Sequence, residues 1–190
     1  VYSKTLADYI YNRVVEPEDM LFGDEEVEEI LEPVNGADAT ISGFEVQWSQ
    51  QLTFLPGILS GLGIYTNYTH TTSEAQYFDR DPTTMPGQAD NVGNVAVSFE
   101  AGGFTARASM NFHGMYLEEV GGDEDEDIYY ADNTQTDLSF TYDLNSGIML
   151  YADIVNLNNS PMIYYQGGED FPIQREIYSQ GFRMGAKFNF

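Results

Sequence analysis

Residues 181–190 alternate apolar and polar without a break, so that Phe182, Met184, Ala186, Phe188 and Phe190 share one face of an extended strand while Arg183, Gly185, Lys187 and Asn189 share the other. A strand with one wholly apolar face must bury that face against a protein core or against lipid. Aromatics towards both ends and a terminal Phe fit lipid, where rings gather at the two interfaces of an apolar band. This stretch therefore predicts the closing strand of a membrane-spanning β-structure.

The same period recurs upstream, and eight strand-like segments can be marked. The first, 1–15, has poor periodicity. The second, 39–55, sets Phe44, Val46 and Trp48 opposite Gly43, Glu45, Gln47 and Ser49. The third, 62–76, sets Leu62, Ile64, Thr66 and Tyr68 opposite Gly63, Tyr65, Asn67 and Thr69. In the fourth, 91–100, Val95, Val97 and Phe99 oppose Asn94, Ala96, Ser98 and Glu100. The fifth starts at Phe104, with Ala106, Ala108, Met110 and Phe112 on its side and Thr105, Arg107, Ser109, Asn111 and His113 on the other. The sixth carries Leu138, Phe140 and Tyr142 opposite Asp137, Ser139, Thr141 and Asp143. The seventh, 148–158, carries Ile148, Leu150, Ala152 and Ile154 on one face, and 181–190 is the eighth. Short turns at 56–61, 101–103 and 145–147 fall at one end of these strands; the long connections, with acidic runs at 16–38 and 118–132 and loops at 79–90 and 159–179, fall at the other.

One face of each segment is apolar and the other is rich in Asn, Ser, Thr, Asp and Arg. Burying such polar groups unpaired in a dry interior costs about 1–3 kcal/mol each, so a water-facing lumen behind a lipid-facing wall is the favoured arrangement. The expected fold is all-β, an antiparallel meander of about eight strands forming the C-terminal part of a transmembrane β-barrel. No run reaches the ~18 apolar residues of a membrane helix, and the chain has no Cys. The formal charge of −24 comes from 31 acids against seven bases. Ten of the acids lie in 16–38 and eight in 118–132, which opposes nucleic acid as a partner. No signal sequence opens the chain and residues 1–4 already read as strand, so the N-terminus is expected to be processed or cut, with a cut favoured.

Several segments in order carry a family likeness: Gly43-Phe44-Glu45 entering a strand that ends in Leu55-Pro56-Gly57, then Tyr65-Thr66-Asn67-Tyr68-Thr69, Pro86-Gly87-Gln88-Ala89-Asp90-Asn91, Val155-Asn156-Leu157-Asn158-Asn159, and the closing 181–190. With these, the chain resembles the C-terminal part of a TonB-dependent outer-membrane receptor. The resemblance implies a 22-stranded barrel in the bacterial outer membrane, occluded by a plug and driven by TonB through an N-terminal region that this chain lacks. All of 1–190 would then be barrel, with no plug domain. The end of the chain is similar to the C-terminal signal read by the barrel-assembly machinery, with Gly185 before the aromatic pair Phe188 and Phe190. The implied partners are outer-membrane lipid, the rest of the barrel and plug, TonB, and a small-molecule or oligosaccharide ligand. The implied function is energised uptake of a scarce nutrient: an oligosaccharide, a metal chelate or a cobalamin. Eight strands alone leave two open edges, which lipid forbids, so other segments must complete the wall. The competing reading is a self-contained eight-stranded barrel with a structural or adhesion role, closed by pairing 1–15 with 181–190.

Three groups of residues invite a site. Asp123, Asp125 and Asp127 mimic the opening of a Ca²⁺ loop, but Ile128 stands where such a loop needs Gly and Thr134 where it needs Glu, so a solvated acidic loop is the competing reading. Tyr164, Tyr165, Gln166 and Phe171 could present rings and amides to a sugar or a planar chelate, or could simply fix the loop. His70 and His113, the only histidines, lie towards the loop ends of their strands. No nucleophile elbow, His-x-x-x-His spacing or phosphate loop occurs, so the chain is expected not to be an enzyme; a rim hydrolase built on the two histidines is the residual alternative. Arg107, Arg183 and Lys187, with Glu45, Glu100, Asp137 and Asp153, are expected to line the lumen and pair across it.

Overall fold

A computed structural model describes residues 1–15, 21–22, 25–26, 30–36, 38–77, 80–144 and 147–188. In chain order the strands are β1 (Tyr2–Ala7), β2 (Ile10–Val15), β3 (Leu21–Phe22), β4 (Glu25–Glu26), β5 (Ile30–Asn35), β6 (Asp38–Gln51), β7 (Leu62–Ala75) and β8 (Asn91–Ala101). They continue as β9 (Phe104–His113), β10 (Tyr116–Glu119), β11 (Ile128–Tyr130), β12 (Asn133–Asp143), β13 (Ile148–Val155), β14 (Met162–Gln166), β15 (Pro172–Glu176) and β16 (Gly181–Phe188). A single 3-10 turn, Gly57–Gly61, fills the β6–β7 connection.

Eight of these strands make the wall, an antiparallel sheet in the order β1-β6-β7-β8-β9-β12-β13-β16. The sheet is open. β1 and β16 are its two edges, whereas a closed eight-stranded barrel would pair them, so the backbone groups of both edges need strands beyond this sheet before the wall can stand in lipid. Short connections fall at one end; between β8 and β9 the hairpin turns on Gly102 (φ 58) and Gly103 (φ 81), the left-handed pair that a two-residue hairpin requires.

The registers join the single-strand alternations into two continuous faces. On one, Ile64, Val97, Ala108, Leu138, Ile154 and Phe182 lie in a row across six strands, followed by Leu62, Phe99, Ala106, Phe140, Ala152 and Met184. Val46, Trp48, Val95, Val97, Met110, Leu150, Phe182, Met184 and Phe188 of this face are exposed, and among the described residues no protein layer covers it. So extensive an apolar surface suits lipid and not water. On the other face Gln47, Asn67, Asn94, Asn111 and Gln135 stand level on five neighbouring strands. Below them runs a level of Ser98, Arg107, Ser139, Asp153 and Arg183.

Two parts of the sequence reading are corrected. Residues 1–15 are not one wall strand: Asp8 takes a left-handed φ of 53° and ends β1, after which β2 leaves the wall and pairs with β5. Tyr9 fixes that departure. Its carbonyl accepts from the Gly36 N–H at 2.7 Å, and its hydroxyl donates to the Gln76 carbonyl at 2.6 Å. The second correction concerns the last two long connections, which are not irregular. They combine into a four-stranded sheet, β10-β11-β14-β15, standing beyond the wall at its loop end.

The packed core lies where the loop ends of β6 and β7 meet the loop layer, because both faces of the rest of the wall are committed to lipid or lumen. Ala39, Ala75, Tyr77, Leu117 and Val120 are buried together, with Tyr9, Tyr11, Met85 and Tyr129 against them. The ring of Tyr77 meets Tyr9 and Tyr11 edge-on at centroid distances of 5.8 and 5.0 Å.

Candidate functional site

The loop sheet is two-sided, and its register decides which rings can meet a ligand. Tyr116, Tyr130, Tyr164 and Gln174 stand level on one face; Leu117, Tyr129, Tyr165 and Pro172 stand level on the other. The second face is the packing face, with Leu117 and Tyr165 buried and Tyr129 stacked on Tyr165 at 5.5 Å. The Tyr165 hydroxyl also bonds to the Met115 sulfur. On the first face Tyr130 contacts Tyr116 at 5.2 Å and Tyr164 at 4.9 Å, and His113 at the end of β9 stacks on Tyr130 at 5.0 Å. His113 Nδ1 donates to the Gly114 carbonyl at 3.1 Å, so that Nε2 is the acceptor in the neutral form of the ring.

Beneath these rings lies a cavity of about 580 Å³, lined by wall residues Asn94, Asn111, His113 and Gln135 and by loop residues that include Tyr130 and Tyr178. It opens where the amide row of the lumen meets the loop sheet. Asn94 Nδ2 donates to Asn67 Oδ1 at 2.8 Å, and Gln135 Nε2 donates to Asp137 Oδ1 at 2.9 Å. Between them, the Asn111 amide makes no hydrogen bond among the described residues. Burial pushes the Tyr116 phenol up to about 12, helped by the adjacent Glu118 charge. Burial also raises Tyr130 and Tyr164, and the bond to Glu176 raises Tyr178, so these phenols keep their protons at neutral pH.

Two polar devices hold the loops over the cavity. Asn156, at a left-handed φ of 56°, donates from its side chain to the carbonyls of Ser160 and Ser179, both at 3.3 Å, and accepts from the Ser160 N–H at 2.8 Å. Its backbone N–H donates to Asp137 at 2.9 Å, tying both ends of the last loop to the wall. Asn158 continues the sheet with a side chain: it accepts from the Thr136 N–H at 2.9 Å and donates to the Thr134 carbonyl at 2.6 Å. The second device is Arg80, which binds Asp127 through two nitrogens at 2.7 and 3.0 Å and also donates to the Gly121 carbonyl. The side chains of this ion pair are 8% and 0% exposed, so it joins the loop after β7 to the loop after β10 from inside the layer.

The sequence candidates are distributed over this frame unevenly. Of Tyr164, Tyr165, Gln166 and Phe171, only Tyr164 joins the ring cluster at the cavity; Tyr165 points into the opposite, packed face, while Gln166 and Phe171 are exposed. Asp123, Asp125 and Asp127 do not converge. Both Asp127 oxygens face Arg80, Asp123 Oδ1 accepts the N–H groups of Asp125 and Glu126, and no three His, Asp or Glu side chains gather as a metal site among the described residues. His70 and His113 fall on opposite faces of the wall and cannot act together: His70 is level with Phe44 on the apolar face, 5.7 Å from its ring.

Of the expected lumen charges, Arg183 and Asp153 pair, at 2.8 Å, and Ser139 donates to the same carboxylate. The ring of Tyr151 lies across Gly185, where a Cβ would come within 2.6 Å of its hydroxyl. Phe188 is on the apolar face opposite Ile148, and Phe190 lies outside the described residues. Sequence reasoning missed Arg80, Asn156 and the Asn111-centred row as site-forming residues. The signals were present: a lone cation amid acids, a doubled Asn motif, and amides recurring at the same phase of five strands.

A family model described as TonB dependent receptor-like, beta-barrel, matches residues 1–157. Neither the comparison with curated proteins nor that with solved structures gives a match.

Proposed function

The chain belongs to the TonB-dependent receptor-like β-barrel family, an outer-membrane receptor family of Gram-negative bacteria, and from that premise we propose that it forms wall and outer vestibule for TonB-energised import of a scarce nutrient. Members of this family are transporters, and the nutrient is an oligosaccharide, a metal chelate or a cobalamin. The observation that carries the reading is the join between two surfaces: a lumen lined by amides and a loop sheet that sets Tyr130, with Tyr164 packed edge-on against it, at its mouth. A ligand captured among the rings would pass directly to hydrogen-bonding groups of the wall. The apolar face would meet lipid, β1 and β16 would pair with the rest of the barrel, and a plug would fill the polar lumen.

Deleting the gene in its native host and growing the cells on single limiting nutrients tests this. Loss of accumulation of at least one nutrient, restored by the intact gene and abolished by a protonophore, is expected. Accumulation that survives the protonophore would exclude an energised receptor.

A further inference from the structure

We propose that the vestibule cavity is a subsite for an uncharged oligosaccharide, an assignment that rests on the receptor reading and narrows its cargo to one class. Among the described residues the lining contains no Asp, Glu, Lys or Arg, although 20% of the chain is charged. Recognition of a phosphate or a carboxylate-bearing chelate calls for a cation in the wall of the site. The neighbouring cations are engaged or turned elsewhere: Arg80 is buried against Asp127, Arg175 stands opposite Ile163, on the other face of the loop sheet from Tyr164, and Arg183, two residues along β16 from the lining Gly181, is paired with Asp153. The acidic runs at 16–38 and 118–132 add a field that repels anions from the loop end.

What the lining offers is hydrogen bonding without charge. Asn94, Asn111 and Gln135 stand side by side on three strands, each amide with both donor and acceptor capacity, and His113 Nε2 adds an acceptor. The Tyr178 ring, 68% exposed, supplies a flat apolar face with a protonated hydroxyl at its edge, while Tyr130, packed against His113, Tyr116 and Tyr164, forms part of the wall. A sugar ring matches both halves: its C–H face lies on an aromatic ring while its hydroxyls exchange hydrogen bonds with amides. The volume of about 580 Å³ is within the range that encloses a small ligand.

The intact receptor, purified in detergent, is applied to an array of neutral, uronate-bearing, sulfated and amino-sugar oligosaccharides, together with Asn111→Ala and Thr105→Ala variants. Asn111→Ala leaves no protein group without its partner, and Thr105 lies on the lumen face near the short-turn end, away from the cavity. Retention confined to neutral glycans is expected, about tenfold weaker for Asn111→Ala and unchanged for Thr105→Ala. Preference for any charged class, binding indifferent to Asn111→Ala, or retention of no neutral glycan overturns the assignment. Energised uptake of a chelate or cobalamin in that last case would remove the sugar class and leave the receptor reading standing.

Discussion

Arginine placed at two consecutive positions of β9 separates the two faces of the wall. Ala108 lies on the apolar face between Val97 and Leu138, and Ser109 on the lumen face between Ala96 and Asp137. Ala108 is midway along the outer row, four residues from Phe104 and four from Phe112. With a rise of about 3.4 Å per residue and a tilt of about 40°, four residues climb ~10 Å, which puts Ala108 near the middle of an apolar band about 25 Å tall. Ala108→Arg is therefore expected to destabilise the barrel by about 2–4 kcal/mol, or about 30- to 700-fold in the folding equilibrium. Ser109→Arg enters water beside the Asp137 carboxylate and should stay within about 1 kcal/mol of wild type. Urea unfolding of the intact receptor in phospholipid vesicles, read by the gel shift of unheated samples, gives both values, and Ala108→Leu controls for size. Equal losses at the two positions, or a larger loss at Ser109, would refute a lipid-facing row at Ala108.

Three further outcomes follow from the loop layer. Asp127→Leu leaves Arg80 buried without a counter-ion and should weaken the layer by about 3–5 kcal/mol, while Arg80→Met with Asp127→Leu recovers most of it; hydrogen exchange at Gly121, whose N–H donates to Asp127, reports the difference. Asn156→Ala removes three side-chain hydrogen bonds and strains a left-handed residue, so exchange at the Ser160 N–H should speed up by the equivalent of about 2–4 kcal/mol, with Asn156→Gly recovering about 1 kcal/mol. For Tyr116, raised from 10.0 to about 12, the unfolded chain loses its proton first as pH rises, so the stability that the neutral phenol confers is complete below pH 10 and lost between there and about pH 12. Ultraviolet titration of wild type against Tyr116→Phe should show one phenol missing from the late-ionising set and a flatter stability curve over that window.

The wall was readable because its two solvents differ so sharply. Each of β8, β9, β12, β13 and β16 alternates without a misplaced charge, and the turn glycines at 102 and 103 mark where the alternation reverses direction. The loop sheet was not readable, because its central strands β11 and β14 carry apolar or aromatic residues on both faces: Tyr164 meets the ring cluster and Tyr165 the core, so neighbouring tyrosines with opposite roles look alike in one dimension. The break at Asp8 was hidden for a similar reason, since Tyr9, Ile10 and Tyr11 continue as though the strand did. The acidic run 118–132 illustrates the limit of composition. Most of its carboxylates sit in water, yet Asp127 is fully buried on Arg80, a partner 47 residues upstream that no local pattern points to.

Solvent alternation along β16 bears most directly on the wall. Single cysteines at Phe182, Arg183, Met184 and Lys187, in a cysteine-free background, can be labelled in native outer membranes with a membrane-impermeant maleimide and, separately, with a nitroxide read by lipid-borne and aqueous relaxation agents. Phe182 and Met184 should resist the maleimide and respond to the lipid-borne agent, while Arg183 and Lys187 should do the opposite. Uniform labelling of all four, or the reverse pattern, would contradict a wall that is apolar towards lipid and polar towards its lumen.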